Sequence, residues 1–273
     1  MDASRGFGLA GETARESILA AATGAERSGY HSFWLSQPPE GSTLEVLQEV
    51  SGITASILLG VGAIPLTSRT AEDISREVSD LGLPRDRLRL GIGSGTGIGS
   101  LDRLRTGIVR LRSLLDVEIV IAPLGPQMCA LAGELADTVL LNWLTPAHAK
   151  TSASWIRAGA DNARREAPSI ASYVRCAISD DALPRLAAEC ARYGSFPHYA
   201  AHFRRQGVYP IETTIRARDE KELQEGLARY DDILDHVVVR AITPNDAPSE
   251  ILALLEAASP RRRHSPAHRS GTT

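Results

Sequence analysis

Lysine is nearly absent from this chain: only Lys150 and Lys221 occur among 273 residues. That removes the Walker loop, whose glycine-rich turn needs a lysine to reach phosphate groups. Cysteine is scarce too. Cys129, Cys176 and Cys190 are odd in number and lack metal-ligand spacing, so neither a disulfide framework nor a zinc site is expected. They read as reduced, mostly buried thiols of a cytoplasmic protein. No apolar run reaches the roughly 18 residues of a membrane span, and no charged-then-apolar leader is visible. An excess of one charge is also missing. The 30 Lys and Arg residues against 33 Asp and Glu leave a formal charge of −3, which offers no bulk polycation to nucleic acid. The Pro-, Ser- and Arg-rich stretch 261–273 is expected to be a disordered basic tail.

What is present is alternation. Short apolar or β-branched runs lie at 7–10, 31–36, 57–64, 88–94, 118–124, 138–144, 170–178 and 236–242, with amphipathic stretches between them. This predicts βα units and a parallel sheet. Eight units in one domain, 1–260, point to a closed (β/α)8 TIM barrel of the α/β class rather than a doubly wound sheet. The segment after the seventh strand, 181–230, is too long for a simple unit and reads as a helical insertion above the C-terminal mouth. The glycine run "GIGSGTGIGS" (91–100) fails the dinucleotide fingerprint, because Thr96 and Ile98 stand where a third glycine is needed. It is read instead as the end of the fourth strand, followed by a short loop.

The strand ends that build a barrel's active site include Ser36, Gln37, Ala63, Ser94, Leu124 and Asn142. They supply no pair of carboxylates for glycosidase chemistry and no cluster spaced for a divalent metal. If the barrel is an enzyme, an organic cofactor is expected to supply the reactivity. Arg175, inside the seventh strand, must reach a partner, a substrate or water.

Four stretches, "AERSGYHSFWLSQ", "ILLGVGAIPLTSRT", "LRLGIGSG" and above all "APLGPQMCALAGELADTVLLNWLTPAHA", resemble the bacterial luciferase-like flavin oxidoreductases. The resemblance is greatest to the actinobacterial branch assigned to the deazaflavin coenzyme F420. It implies a barrel, often homodimeric, that binds F420 or FMN at its C-terminal mouth. Carried over by position, Leu124, Gly125, Pro126, Gln127 and Met128 would meet the cofactor phosphate, and a helix N-terminus there is a natural anion site. Gly62, Ala63 and Ile64 correspond to a bulge behind the ring, often with a cis peptide. Ser94 and Gly95 would flank the ring, and Asn142 would meet the ring edge or the phosphate side.

One departure matters. Many relatives carry Asp-His or Glu-His after the second strand, where this chain has Ser36, Gln37 and Pro38. The remaining proton relays to consider are Gln37, His198 and His202, and the residues placed near substrate are Trp143, Arg175 and Tyr199. The expected activity is F420-dependent hydride transfer with a carbonyl, imine or activated alkene. The alternatives are an FMN-dependent monooxygenase fed by a separate reductase, or a barrel without cofactor chemistry that serves as a binding or auxiliary subunit. The expected partners are a small-molecule substrate, an F420 or flavin reductase and a second copy of the chain, not nucleic acid or a membrane.

Overall fold

The computed structural model describes residues 3–260, so the stretch read as a basic tail lies outside the described residues. In chain order the strands are β1 (Ser4–Leu9), β2 (Ser32–Leu35), β3 (Leu58–Pro65), β4 (Leu88–Gly93), β5 (Glu118–Ile121), β6 (Thr138–Asn142), β7 (Ser169–Ala177), β8 (Ile215–Arg216) and β9 (His236–Ala241). All pair in parallel, and β9 joins β7 to β1, so eight strands close a barrel. The short β8 is an extra ladder on Cys176 and Ala177. All eight predicted barrel strands are present. The predicted ends that overrun by more than one residue are those of β5, where the strand stops at Ile121, and β6, where it stops at Asn142. The chain turns there into loops carrying Pro123 and a left-handed Trp143, φ 56°.

The helices are α1 (Arg15–Arg27), α2 (Thr43–Ile53), α3 (Ala71–Asp80), α4 (Ser100–Leu114), α5 (Pro126–Leu135), α6 (Pro146–Asn162), α7 (Leu183–Ser195), α8 (Pro197–Gln206), α9 (Glu220–Ala228) and α10 (Pro248–Ala257). Their apolar faces cover the outside of the barrel and form the main core. None of the described helices is long and apolar enough to cross a membrane. The insertion after β7 is helical, as expected: α7 and α8 lie over the mouth, with Tyr193 and Phe203 packed on Trp143.

Inside the barrel, alternate side chains face the axis. Trp34, Val120, Leu140, Ala171, Tyr173 and Val238 make one apolar cluster there. Trp34 spreads across β3, where a Cβ on Gly60 would stand 2.1 Å from its ring. Trp34 is thus a layer filler.

Below this cluster runs a directional hydrogen-bond chain. Trp34 Nε1 donates to Ser32 Oγ at 2.6 Å, and Ser32 Oγ lies 2.7 Å from His236 Nε2. On the other side, Ser4 Oγ lies 2.7 Å from His236 Nδ1 and donates to the Asp235 carbonyl. Ser4 and Ser32 thus hold the ring from both sides, one ring nitrogen donating and the other accepting. The ring is therefore neutral. Burial, followed by the nearby His31 and Arg5 charges, lowers its pKa to about 3. A histidine held neutral binds no proton between pH 6.5 and 3, whereas the unfolded chain does, so stability falls as pH drops through that window. Urea unfolding of wild type should show about 2 kcal/mol lost to this ring between pH 7 and 5. His236→Gln should flatten the slope by that amount, and equal slopes would refute the assignment.

Candidate cofactor and substrate site

Two chambers open at the C-terminal mouth. The first, about 800 Å³, lies between the β4 and β5 loops and the start of α8. The second, about 910 Å³, lies between the β1 and β2 loops, α7 and the end of β9. Gly62, Ala63, Asn142 and Tyr199 line both, so they form a shared wall.

That wall is built by a break in β3. Its register against β4 shifts between Val61 and Ile64, and the Gly62–Ala63 peptide is cis. The shift drives the Val61 carbonyl towards β4, where a Cβ on Gly91 would meet its oxygen at 1.8 Å. Gly62 is equally constrained: a Cβ there would stand 2.8 Å from Tyr173 Oη and 2.6 Å from Leu140. Tyr173 is buried, and its hydroxyl has no hydrogen-bond partner among the described residues, although it lines the first chamber. A buried orphan hydroxyl beside Gly62, which has no side chain, suits a flat group with polar edges. Ile64, grouped with these residues on sequence grounds, is fully buried in the core and lines neither chamber.

The far end of the first chamber is the start of α5. Leu124 and Met128 line it, whereas Pro126 and Gln127 are exposed. Gly125, at φ 82° and ψ 169°, precedes the helix, and the first helical bond comes from Cys129 N at 2.9 Å. The amides of Gln127 and Met128 therefore lack helical acceptors. Arg205 of α8 approaches the same point, its guanidinium 3.3 Å from the place a Gly125 Cβ would take. A cation beside a helix N-terminus is unfavourable unless an anion sits between them. Sequence reading found the helix start but missed Arg205, although "HFRRQ" marks it as part of a basic helix end. Ser94 and Gly95 also line this chamber, and Ser94 Oγ donates to the Gly95 carbonyl at 2.8 Å.

Above the wall, Arg175 Nη1 donates to Asn142 Oδ1 at 2.7 Å, and Arg175 Nε donates to Glu189 at 2.6 Å. A guanidinium only donates, so the Asn142 oxygen must face it and Nδ2 must face Tyr199 Oη, 3.5 Å away. The Tyr199 proton is left free for the chambers. Burial pushes that phenol well above its ordinary pKa, so it stays protonated. Arg175 is 4% exposed, stacks 3.5 Å over the Trp143 ring and lines neither chamber. Its sequence-based role as a substrate ligand is therefore corrected to that of a brace. Trp143 is corrected likewise: it is fully buried under Tyr193 and Phe203.

The proton-relay residues separate. His202 is buried, and its Nε2 lies 3.1 Å from the Trp143 carbonyl and 3.2 Å from that of Asn142, so it acts as a donor. Burial lowers its pKa to about 4. It docks α8 onto the exit of β6 and lines neither chamber. Gln37 lines the second chamber, but its amide braces its own loop through the Pro38 and Gly41 carbonyls and the Thr43 amide. His198 lines the first chamber at the start of α8, stacked on Phe196, with its pKa lowered by partial burial.

A family model described as luciferase-like monooxygenase matches residues 103–258. No curated protein matches. Among solved structures, an F420-dependent secondary alcohol dehydrogenase in complex with an F420-acetone adduct superposes with a TM-score of 0.77 at 13% identity, over 94% of this chain and 99% of that one. The coenzyme F420-dependent tetrahydromethanopterin reductase of Methanopyrus kandleri gives 0.70 at 17% identity, over 95% and 98%. The FMN-bound oxygenating constituent of 3,6-diketocamphane monooxygenase from Pseudomonas putida gives 0.71 at 13%, over 95% and 97%.

Proposed function

The chain belongs to the luciferase-like monooxygenase family, and from that membership we propose an F420-dependent oxidoreductase that moves a hydride between reduced deazaflavin and a small organic substrate. The observation that carries this reading is the shared wall, with a polar-edged chamber on one side and a second chamber on the other. The bound coenzyme would supply the hydride chemistry. Arg205 and the free amides of α5 would hold its phosphate, and Tyr173 Oη would meet a polar edge of its ring. Tyr199, its phenol kept protonated and its lone pair facing Asn142, would donate a hydrogen bond to substrate oxygen or nitrogen across the wall. Such a donor stabilises charge that develops there. His198, at the rim, would exchange protons with solvent.

The likeness to two F420-dependent enzymes supports the deazaflavin. The FMN-bound neighbour supports a second reading, an FMN monooxygenase fed by a separate reductase. A flavin reacts with dioxygen and a deazaflavin does not, so turnover with and without oxygen separates the two.

Fluorescence titration of the purified protein with F420 and with FMN is the direct test. Saturable binding of F420 is expected, and binding of neither overturns the reading. Arg205→Gln, an exposed change, should raise the dissociation constant about tenfold, as loss of a charge-assisted phosphate contact does. An unchanged constant would remove Arg205 from the site.

A further inference from the structure

The second chamber has a charge imbalance at its floor. Arg240 stands on β9 two residues beyond the inward-facing Val238, is 8% exposed and lines the chamber. Its Nη1 donates to the Ala241 carbonyl at 2.6 Å, but its Nη2 is 3.8 Å from Glu189, beyond hydrogen-bond reach. Glu189 is already engaged by Arg175 at 2.6 Å. The other nearby carboxylate, Asp246, is taken by Arg185 and by the Thr243 hydroxyl. Within contact distance, then, two carboxylates serve three guanidiniums. Arg192 of α7 also lines this chamber and adds positive charge at its mouth, where Glu12 is the remaining acid in the lining.

We propose that this chamber binds a carboxylate-bearing organic substrate, with Arg240 as its buried anchor and Arg192 as a guide at the entrance. A buried guanidinium without a full counter-charge is costly, and the planar fork of arginine matches a carboxylate with two parallel hydrogen bonds. The carboxylate would complete the third ion pair. The shared wall would then set the rest of the molecule against Tyr199. Calling this ligand a substrate rests on the oxidoreductase reading; its binding does not.

Calorimetric titration of the full-length protein, without cofactor, tests the proposal using benzoate and its neutral isostere benzamide. Benzoate should bind saturably and at least about tenfold more tightly than benzamide. Arg240→Met should abolish that preference, and Arg240→Lys should keep part of it. Arg192→Gln, on an exposed stretch of helix, should weaken benzoate two- to threefold and flatten its salt dependence. Equal binding of the two probes, no binding of benzoate, or a wild-type preference in Arg240→Met overturns the proposal. Should Arg240→Met fail to fold, the wild-type preference and Arg192→Gln still decide it. Cofactor binding is read separately by fluorescence, so either result can fail alone.

Discussion

Replacing Gly91 by valine should cost more than about 3 kcal/mol and abolish cofactor binding. The reason is local and backbone-made. A Cβ at this position would stand 1.8 Å from the Val61 oxygen, 2.9 Å from its carbonyl carbon and 3.3 Å from Gly62 Cα. Backbone atoms cannot rotate away as the end of a side chain can, so relief requires moving the bulge itself. That bulge is the shared wall, which couples loss of stability to loss of the site. Gly52, exposed near the end of α2 with nothing within 4 Å of its Cβ position, is the control. Gly52→Ala should stabilise by about 0.5 kcal/mol through helix propensity. Urea unfolding of both variants, with the fluorescence titration, measures the contrast. A Gly91→Val protein of near wild-type stability would show that the β3 bulge yields, and the wall would lose its claim to rigidity.

The same glycine shows what the sequence could and could not reveal. That "GIGSG" ends a strand and is not a dinucleotide loop was legible, because the glycine spacing and the strand count are local properties. Why Gly91 must be glycine was not legible, because the cause is the register of β3 against β4. The barrel itself was readable for a simple reason: each strand is a short apolar run bounded by turn residues, and burial on both faces leaves that mark. The start of α5 was readable too, through Gly125 and Pro126.

The polar upper layer was not. Arg175 on β7 meets Asn142 on β6, and Glu189, Arg205 and Tyr199 of α7 and α8 complete the layer by meeting Arg175, the start of α5 and Asn142. Those helices were recognised as an insertion, but nothing local fixes which of their faces turns down onto the mouth. Partner choice among arginines, carboxylates and amides is set by that tertiary placement. Hence His202, a plausible relay by type, proved to be a docking donor, and Arg205 went unnoticed.

Arg175→Met should lower stability by about 3 kcal/mol, the cost typical of breaking a buried ion pair. Three contacts go at once: the 2.6 Å bond to Glu189, the 2.7 Å bond to Asn142, and the guanidinium stacked 3.5 Å over Trp143. Glu189, 16% exposed, would keep only the more distant charges of Arg240 and Arg185. The second consequence concerns the site. Without a donor facing Oδ1, the Asn142 amide is free to turn over, and Tyr199 no longer has a fixed partner for its lone pair. Arg175→Lys separates the two effects. A lysine restores charge near Glu189 but not the planar fork that reaches both groups. It should therefore recover part of the stability while leaving Tyr199 unfixed, which is read as a weaker cofactor-dependent turnover at unchanged cofactor affinity. If Arg175→Met instead unfolds within about 1 kcal/mol of wild type, Arg175 is not the brace of this layer.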